Sequence, residues 1–196
     1  MKNFDNSFLS KNIKYVCGID EAGRGPLAGP VVAAAVIFEN NVIIDGINDS
    51  KKLTEKKREL LFNEIKEKAL AYGIGIISEN EIDEINILQA ALKAMKNAYL
   101  DLATNPDLIL IDGNKSFQCD IPNKTIIKGD SKSFSIAAAS ILAKVTRDRI
   151  MINASKNYPQ FYWEKNKGYG TKQHIEAIKK HGITKIHRKS FLKKYI

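Results

Sequence analysis

The chain has 196 residues, 44% of them hydrophobic and 27% charged, a balance that excludes a disordered or collagen-like polypeptide and suits one domain with a real core. No apolar run approaches the ~20 residues needed to span a bilayer, and the polar opening "MKNFDNSFLSKNIKYV" lacks a secretory apolar segment, so a cytoplasmic protein with no membrane partner is expected. The net charge of +9 lies at one end: from Ile141 onward 14 Lys and Arg face 3 Asp and Glu, a net of +11, whereas the preceding 140 residues hold 17 against 19, a net of −2.

Clustered basic residues favour a polyanion partner, because they displace counterions from phosphates. A solubilising surface is the plainer alternative. Cys17 and Cys119 are too few and too far apart for a zinc motif or a disulfide framework, and read as reduced thiols.

"KYVCGI" reads as a strand, "GPVVAAAVIF" as a second after a glycine-rich turn, and "NVIIDGI" as a third. "LTEKKRELLFNEIKEKAL" places Leu60, Leu61, Ile65 and Ala69 at helical spacing behind Thr54 as N-cap. "AYGIGIIS" alternates as a strand does, and "EIDEINILQAALKAMKNAYLDLA" reads as a helix broken near Asn86 and ended by Pro106. "DLILID" and "KTIIKG" are two further short strands. "SFSIAAASILAKVTRDRIMINASKNYP" predicts an alanine-rich helix closed by Tyr158-Pro159, and the tail a helix from Thr171 to His181 followed by a basic end. Strands first, strand–helix alternation next and helices last predict an α/β sheet with a helical C-terminal cap.

Acids end three of the apolar runs: Asp20 and Glu21 after "VCGI", Asp112 after "LILI", and Asp130 after "TIIKG". Ligand sites of open α/β sheets lie beyond strand ends, so these acids can converge from distant segments. Side chains alternate along a strand, so Asp20 and Glu21 can share a site only if the strand ends between them. Such a cluster needs cations to offset its repulsion, and its oxygens suit Mg²⁺ or Mn²⁺. Two ions roughly 3.5–4 Å apart can drive phosphodiester hydrolysis. The bland readings are a turn at Asp112-Gly113-Asn114 and a helix cap at Asp130. No nucleophilic triad competes, since His174, His181 and His187 lie in the basic tail and are expected at the surface. A nucleotide P-loop at the early glycine turn is ruled out, because no Gly-Lys-Ser/Thr follows it.

"GIDEAGRGPLAGPVVAAAV" resembles the opening signature of the type 2 ribonucleases H, the ribonuclease HII family. "DSKKL" from Asp49, "LILIDG", "KGDSKSFSIAAASILAKVTRDR" from Lys128 and "NKGYGTKQHIEAI" from Asn166 follow in that family's order, covering nearly all the chain from Tyr15 to "HRKSF". The resemblance implies an RNase H-like fold, a mixed five-stranded sheet flanked by helices, with a catalytic domain over residues 1–150 and a helical basic region over 151–196 that completes the substrate cleft. It implies an endonuclease that cuts the RNA strand of RNA/DNA hybrids and cuts 5′ of single ribonucleotides in duplex DNA, using Mg²⁺ or Mn²⁺ held by Asp20, Glu21, Asp112 and Asp130.

By the same resemblance Gly23, Arg24 and Gly25 sense the ribose 2′-hydroxyl and adjoining phosphates. Glycines there let the main chain come close to a sugar, and Arg24 adds a charge-assisted phosphate contact. Tyr169 would pack on the sugar beside the ribonucleotide; its bland reading is a half-buried aromatic. Lys51, or Lys52 in its place, would contact phosphate. Other classes are a non-catalytic nucleic-acid binder and another nuclease of the same fold, a resolvase or a type 3 ribonuclease H. The "GRG" turn and the absence of a long N-terminal extension argue against the type 3 enzyme. A monomer suffices, and no protein partner is legible.

Overall fold

Runs of Val, Ile and Ala build the sheet, and the computed structural model describes residues 1–195 of the chain. Strands β1 (Val16–Ala22), β2 (Val31–Ile37), β3 (Ala71–Ile77), β4 (Leu108–Asp112) and β5 (Asn123–Ile126) form one five-stranded sheet in the order β3-β2-β1-β4-β5. β2 pairs antiparallel with both β1 and β3, whereas β4 runs parallel to β1 and to β5. This is the expected mixed sheet. The helices are α1 (Lys2–Asn6), α2 (Glu55–Lys68), α3 (Glu79–Leu100), α4 (Phe134–Ser155), α5 (Trp163–Asn166), α6 (Lys172–His181) and α7 (Lys189–Leu192).

Helices cover both faces. Cys17, Ile19, Ala33, Ala35, Ile109 and Ile111 pack with Ala90, Ala94 and Met95 of α3. On the opposite face Ala34 and Val36 meet Leu61 and Ile65 of α2 and Ala138, Ile141 and Leu142 of α4. Small residues set the layer spacing. A Cβ on Gly75 would stand 1.9 Å from the Ala94 carbonyl oxygen, and one on Gly18 would stand 2.2 Å from the Ser135 carbonyl carbon. Both helices therefore lie directly on the strand backbone.

Local caps match the expected boundaries. Thr54, Ser133 and Thr171 each accept a main-chain N–H three residues on. Asn86 kinks α3 with a φ of 66°, and its side chain accepts the Leu88 and Gln89 amides. α4 runs unbroken across residue 150 and carries the C-terminal region, whose own core joins Phe161, Trp163, Ile178 and Leu192 to Leu27 and Ala28.

Two expectations fail, and one helix was not foreseen. "NVIIDGI" forms no strand: Ile44 is buried but Ile43 is 70% exposed, so the segment crosses the surface on one apolar anchor. Leu60 is 59% exposed, and Phe62 takes its place on the buried face of α2. α1 has no sequence signal of its own; its Asp5 accepts the Ser135 main-chain N–H and hydroxyl, capping the first turn of α4. No helix among the described residues is long and apolar enough to cross a membrane.

Gly75→Ala should cost about 1–3 kcal/mol, because α3 must lift from β3 to admit the methyl group. Leu60→Gln should change stability by no more than about 0.5 kcal/mol. Urea unfolding of both variants checks the pair; equal effects would contradict the close-packed layer.

Candidate active site

The parallel register of β1 and β4 ends at Ile19 opposite Ile111. Asp20 and Asp112 are the next residue on each strand, so the two carboxylates stand side by side and, by alternation, face α4. Asp20 is only 6% exposed. Burial drives its carboxyl well above the usual range, and Glu21 and then Asp112 push it the same way, with the Ser140 hydroxyl and the Glu21 main-chain N–H as partial offsets. β1 does not end between Asp20 and Glu21: it continues to Ala22 against β2. Glu21 accordingly faces the α3 side. It still acts on Asp20 because β4 has already ended, which leaves the sheet edge open to both faces.

Asp130 arrives by another route. The turn after β5 aims the Gly129 main-chain N–H at Asp112 Oδ1, 2.6 Å away. Asp130 follows in a 3₁₀ turn, Gly129–Ser131. The α4 cap is Ser133, not Asp130, so the capping reading does not hold. Burial raises the Asp130 carboxyl, and Asp49 and Asp112 add to the rise while Lys51 opposes it. Asp49, absent from the sequence-derived set, thus joins the acidic field; its Oδ1 also accepts the Lys51 amide at 2.9 Å.

All four expected acids lie in this field: Glu21 and Asp112 bear on Asp20, and Asp112 bears on Asp130 as well. Among the described residues, however, no three acidic, imidazole or thiol groups stand close enough together to hold one metal ion between them. The set is wholly carboxylate and carries repulsion that its neighbours only partly offset, which fits hard divalent cations. Lys51 supplies part of the offset. Its Nζ lies 3.9 Å from Asp130 Oδ2, and although burial lowers it, Asp130, Asp20, Asp49 and Asp112 together leave it raised. Ser50 fixes this loop to α4 through its hydroxyl, 2.9 Å from that of Ser140.

A cleft of about 230 Å³ opens over Asp20 and Glu21 and is lined further by Gly23, Arg24, Gly25, Lys51, Lys144 and Tyr169. Lys51 lines it and Lys52 does not. Arg24 reaches back to Glu21, Nη1 to Oε1 at 3.2 Å. A second hollow on the α3 side holds Asp112, Gly113 and Lys115 and shares Glu21 and Arg24 with the first. The Tyr169 ring is 44% exposed and close to Gly25, where a Cβ would be 3.7 Å from its Cε1.

Behind Tyr169 the surface expectation for the histidines fails. His174 and His187 are 0% and 1% exposed, and only His181 lies outside. The Thr184 main-chain N–H donates to His187 Nδ1 at 2.9 Å, so the His187 proton sits on Nε2. That N–H, at 3.2 Å, and Trp163 Nε1–H, at 3.0 Å, both donate to His174 Nε2. His174 Nδ1–H is then free to donate to the Tyr169 carbonyl at 2.9 Å. The bonds accepted at His174 Nε2 and His187 Nδ1 require both rings to be neutral. The helical spacing of "KQHIEAIKKH" carries the signal that was missed: His174 stands three and four residues before Ala177 and Ile178, on the buried face of α6.

The ribonuclease HII family model matches residues 17–194. The chain is 58% identical over 190 residues to the ribonuclease HII of Clostridioides difficile (strain 630), an alignment spanning 97% of this chain and 74% of that protein. The crystal structure of the ribonuclease H2 from Pyrococcus horikoshii OT3 superposes with a TM-score of 0.75 at 29% identity, over 90% of this chain and 93% of that one. The RNase HII of Archaeoglobus fulgidus, solved in complex with PCNA, superposes with a TM-score of 0.71 at 26% identity, over 89% and 94% of the two chains.

The histidine relay predicts acid sensitivity. Burial and the neighbouring His174 push His187 down to about 4, and burial also lowers His174. A folded pKa below that of the unfolded chain means stability is complete above pH ~6.5 and is lost as pH falls toward ~4, because only the unfolded state takes up the proton. His187 alone should account for about 3 kcal/mol over that window. Urea unfolding at pH 7.5 and 4.5 should show this loss in the parent and a smaller one in His187→Asn; parallel losses would refute the assignment.

Proposed function

Since the chain belongs to the ribonuclease HII family and is a nuclease of the ribonuclease H type, we propose that it cuts the RNA strand of RNA/DNA hybrids and cuts 5′ of single ribonucleotides embedded in duplex DNA. The observation that carries this reading is the crowding of Asp20 by Glu21 and Asp112 at one end of a cleft that Gly23, Gly25 and Tyr169 also line. Asp20 and Glu21 thus share a cleft with the groups assigned here to the sugar.

Asp20, Glu21, Asp112 and Asp130 would hold Mg²⁺ or Mn²⁺. Such ions, when bound, supply the positive charge that activates water and stabilises the departing oxygen. Asp20, buried and crowded, gains most from that charge. Gly23 and Gly25 let the main chain reach the ribose, where a 2′-hydroxyl distinguishes RNA from DNA. Arg24 and Lys51, each resting on a carboxylate in the free protein, turn to the phosphates of the bound strand. Tyr169 packs on the neighbouring sugar, so residues 151–196 complete a cleft begun by residues 1–150. Water is the nucleophile and the 2′-hydroxyl only a recognition element, which makes the products a 3′-hydroxyl and a 5′-phosphate.

Incubation with a duplex containing one ribonucleotide should give cleavage with Mg²⁺ or Mn²⁺ and none with chelator. Asp20→Asn and Asp112→Asn should each lower turnover by at least about a hundredfold, the scale on which charge-stabilising groups act in closed sites. Cleavage that survives chelation, or ends in a cyclic phosphate, would sink the proposal.

A further inference from the structure

Two arginines outside the acidic field are as buried as any core residue: Arg147 on α4 is 1% exposed and Arg188, just before α7, is 0% exposed. Among the described residues neither forms a salt bridge to a carboxylate. An unpaired buried guanidinium is costly unless every N–H finds an acceptor. Here the acceptors are main-chain carbonyls, all but that of Lys167 in the glycine turn. Arg147 donates to Pro30, Ala28 and Lys167, at 3.0, 3.1 and 2.9 Å. Arg188 donates Nε to Gly29 at 2.8 Å, Nη1 to Arg24 at 3.1 Å, and Nη2 to Gly23 at 2.7 Å and Pro30 at 3.1 Å. Gly23 has a φ of 100°, and a Cβ there would lie 2.1 Å from Arg147 Nε. The turn is moulded onto the two guanidiniums.

The direction of these bonds has a consequence on the other side of the turn. In a planar trans peptide the C=O of one residue and the N–H of the next point opposite ways. Arg188 holds the Gly23 and Arg24 carbonyls inward, so the Arg24 and Gly25 N–H groups point outward, toward the cleft these residues line. Among the described residues, neither amide donates to a protein acceptor. Two successive free amides facing one cleft form a donor pair for an oxygen carrying lone pairs or negative charge.

We propose that Arg188, supported by Arg147, is a positioning residue for ribonucleotide recognition: it locks two peptides so that the Arg24 and Gly25 amides face a ribose 2′-hydroxyl and its phosphate. The inference rests on the reading of the cleft given above. It also explains why the donor is an arginine. A lysine has three donors on a single nitrogen and cannot bridge Gly23, Arg24, Gly29 and Pro30 at once.

The test is the ratio of affinities for a duplex with one ribonucleotide and the same duplex in all-DNA form, measured by fluorescence anisotropy with Ca²⁺. Arg188→Lys keeps the charge; it should weaken binding of the ribonucleotide duplex more than of the all-DNA duplex and so lose at least fivefold in the ratio, with Arg147→Lys losing less. A parent that prefers the ribonucleotide together with an Arg188→Lys protein that prefers it equally would overturn the positioning role and leave the functional reading standing. A parent with no preference would overturn both. Should Arg188→Lys fail to fold, amide NMR of the parent decides: the Arg24 and Gly25 N–H groups should exchange rapidly in the free protein and shift on adding the ribonucleotide duplex. Protected or unshifted amides would refute the proposal.

Discussion

The contact of α4 with β1 at Gly18, where no side chain fits between the helix backbone and the strand, sets the frame for the carboxylates. Two residues on, Asp20 faces the same helix and meets Ser140. The parallel pairing with β4 then delivers Asp112 beside it, and the Gly129 amide bound to Asp112 brings the Asp130 turn within reach. Mutual repulsion among these groups opposes folding. The apolar layers on both faces supply the opposing free energy, and the like charges stay together because rigid backbone holds them.

A second constraint ties the ends of the chain together. Arg188 reaches carbonyls of Gly23 to Pro30 across more than 150 residues of sequence. Asp83 on α3 accepts the Lys189 and Ser190 amides and so fixes the segment that carries Arg188. The His187–His174 relay fixes the carbonyl of Tyr169. The C-terminal region therefore shapes the cleft through buried polar contacts, and its positive excess is not all surface charge: Arg147, Lys167 and Arg188 are all buried.

Strands and helices were legible wherever local chemistry and tertiary demand agreed. Thr54 and Thr171 are caps in sequence and in structure, and Asn86 breaks α3 where an asparagine tolerates positive φ. That Asp20, Glu21, Asp112 and Asp130 draw near one another was legible from the apolar runs they follow and from the resemblance of their surrounding motifs, although β1 runs on past Asp20 to Ala22. What stayed hidden depends on distant partners. His174 and His187 are expected at the surface of a basic tail, and packing around Trp163 makes them interior, while Arg147 and Arg188 are buried against the Gly23–Pro30 turn. "NVIIDGI" misled in the opposite sense, since apolar composition without a neighbouring strand makes no sheet. Asp49 enters the sequence reading only as the first residue of "DSKKL"; in the structure its side chain caps the turn that carries Lys51.

If packing holds the carboxylates in mutual repulsion, removing one charge should stabilise the cation-free protein. The most direct measurement is the melting temperature of the parent and of Asp20→Asn, each with chelator and with Mg²⁺. The account predicts that Asp20→Asn melts higher than the parent in chelator, and that Mg²⁺ raises the parent far more than the variant. A variant that melts lower in chelator, with Mg²⁺ raising both proteins equally, would contradict it.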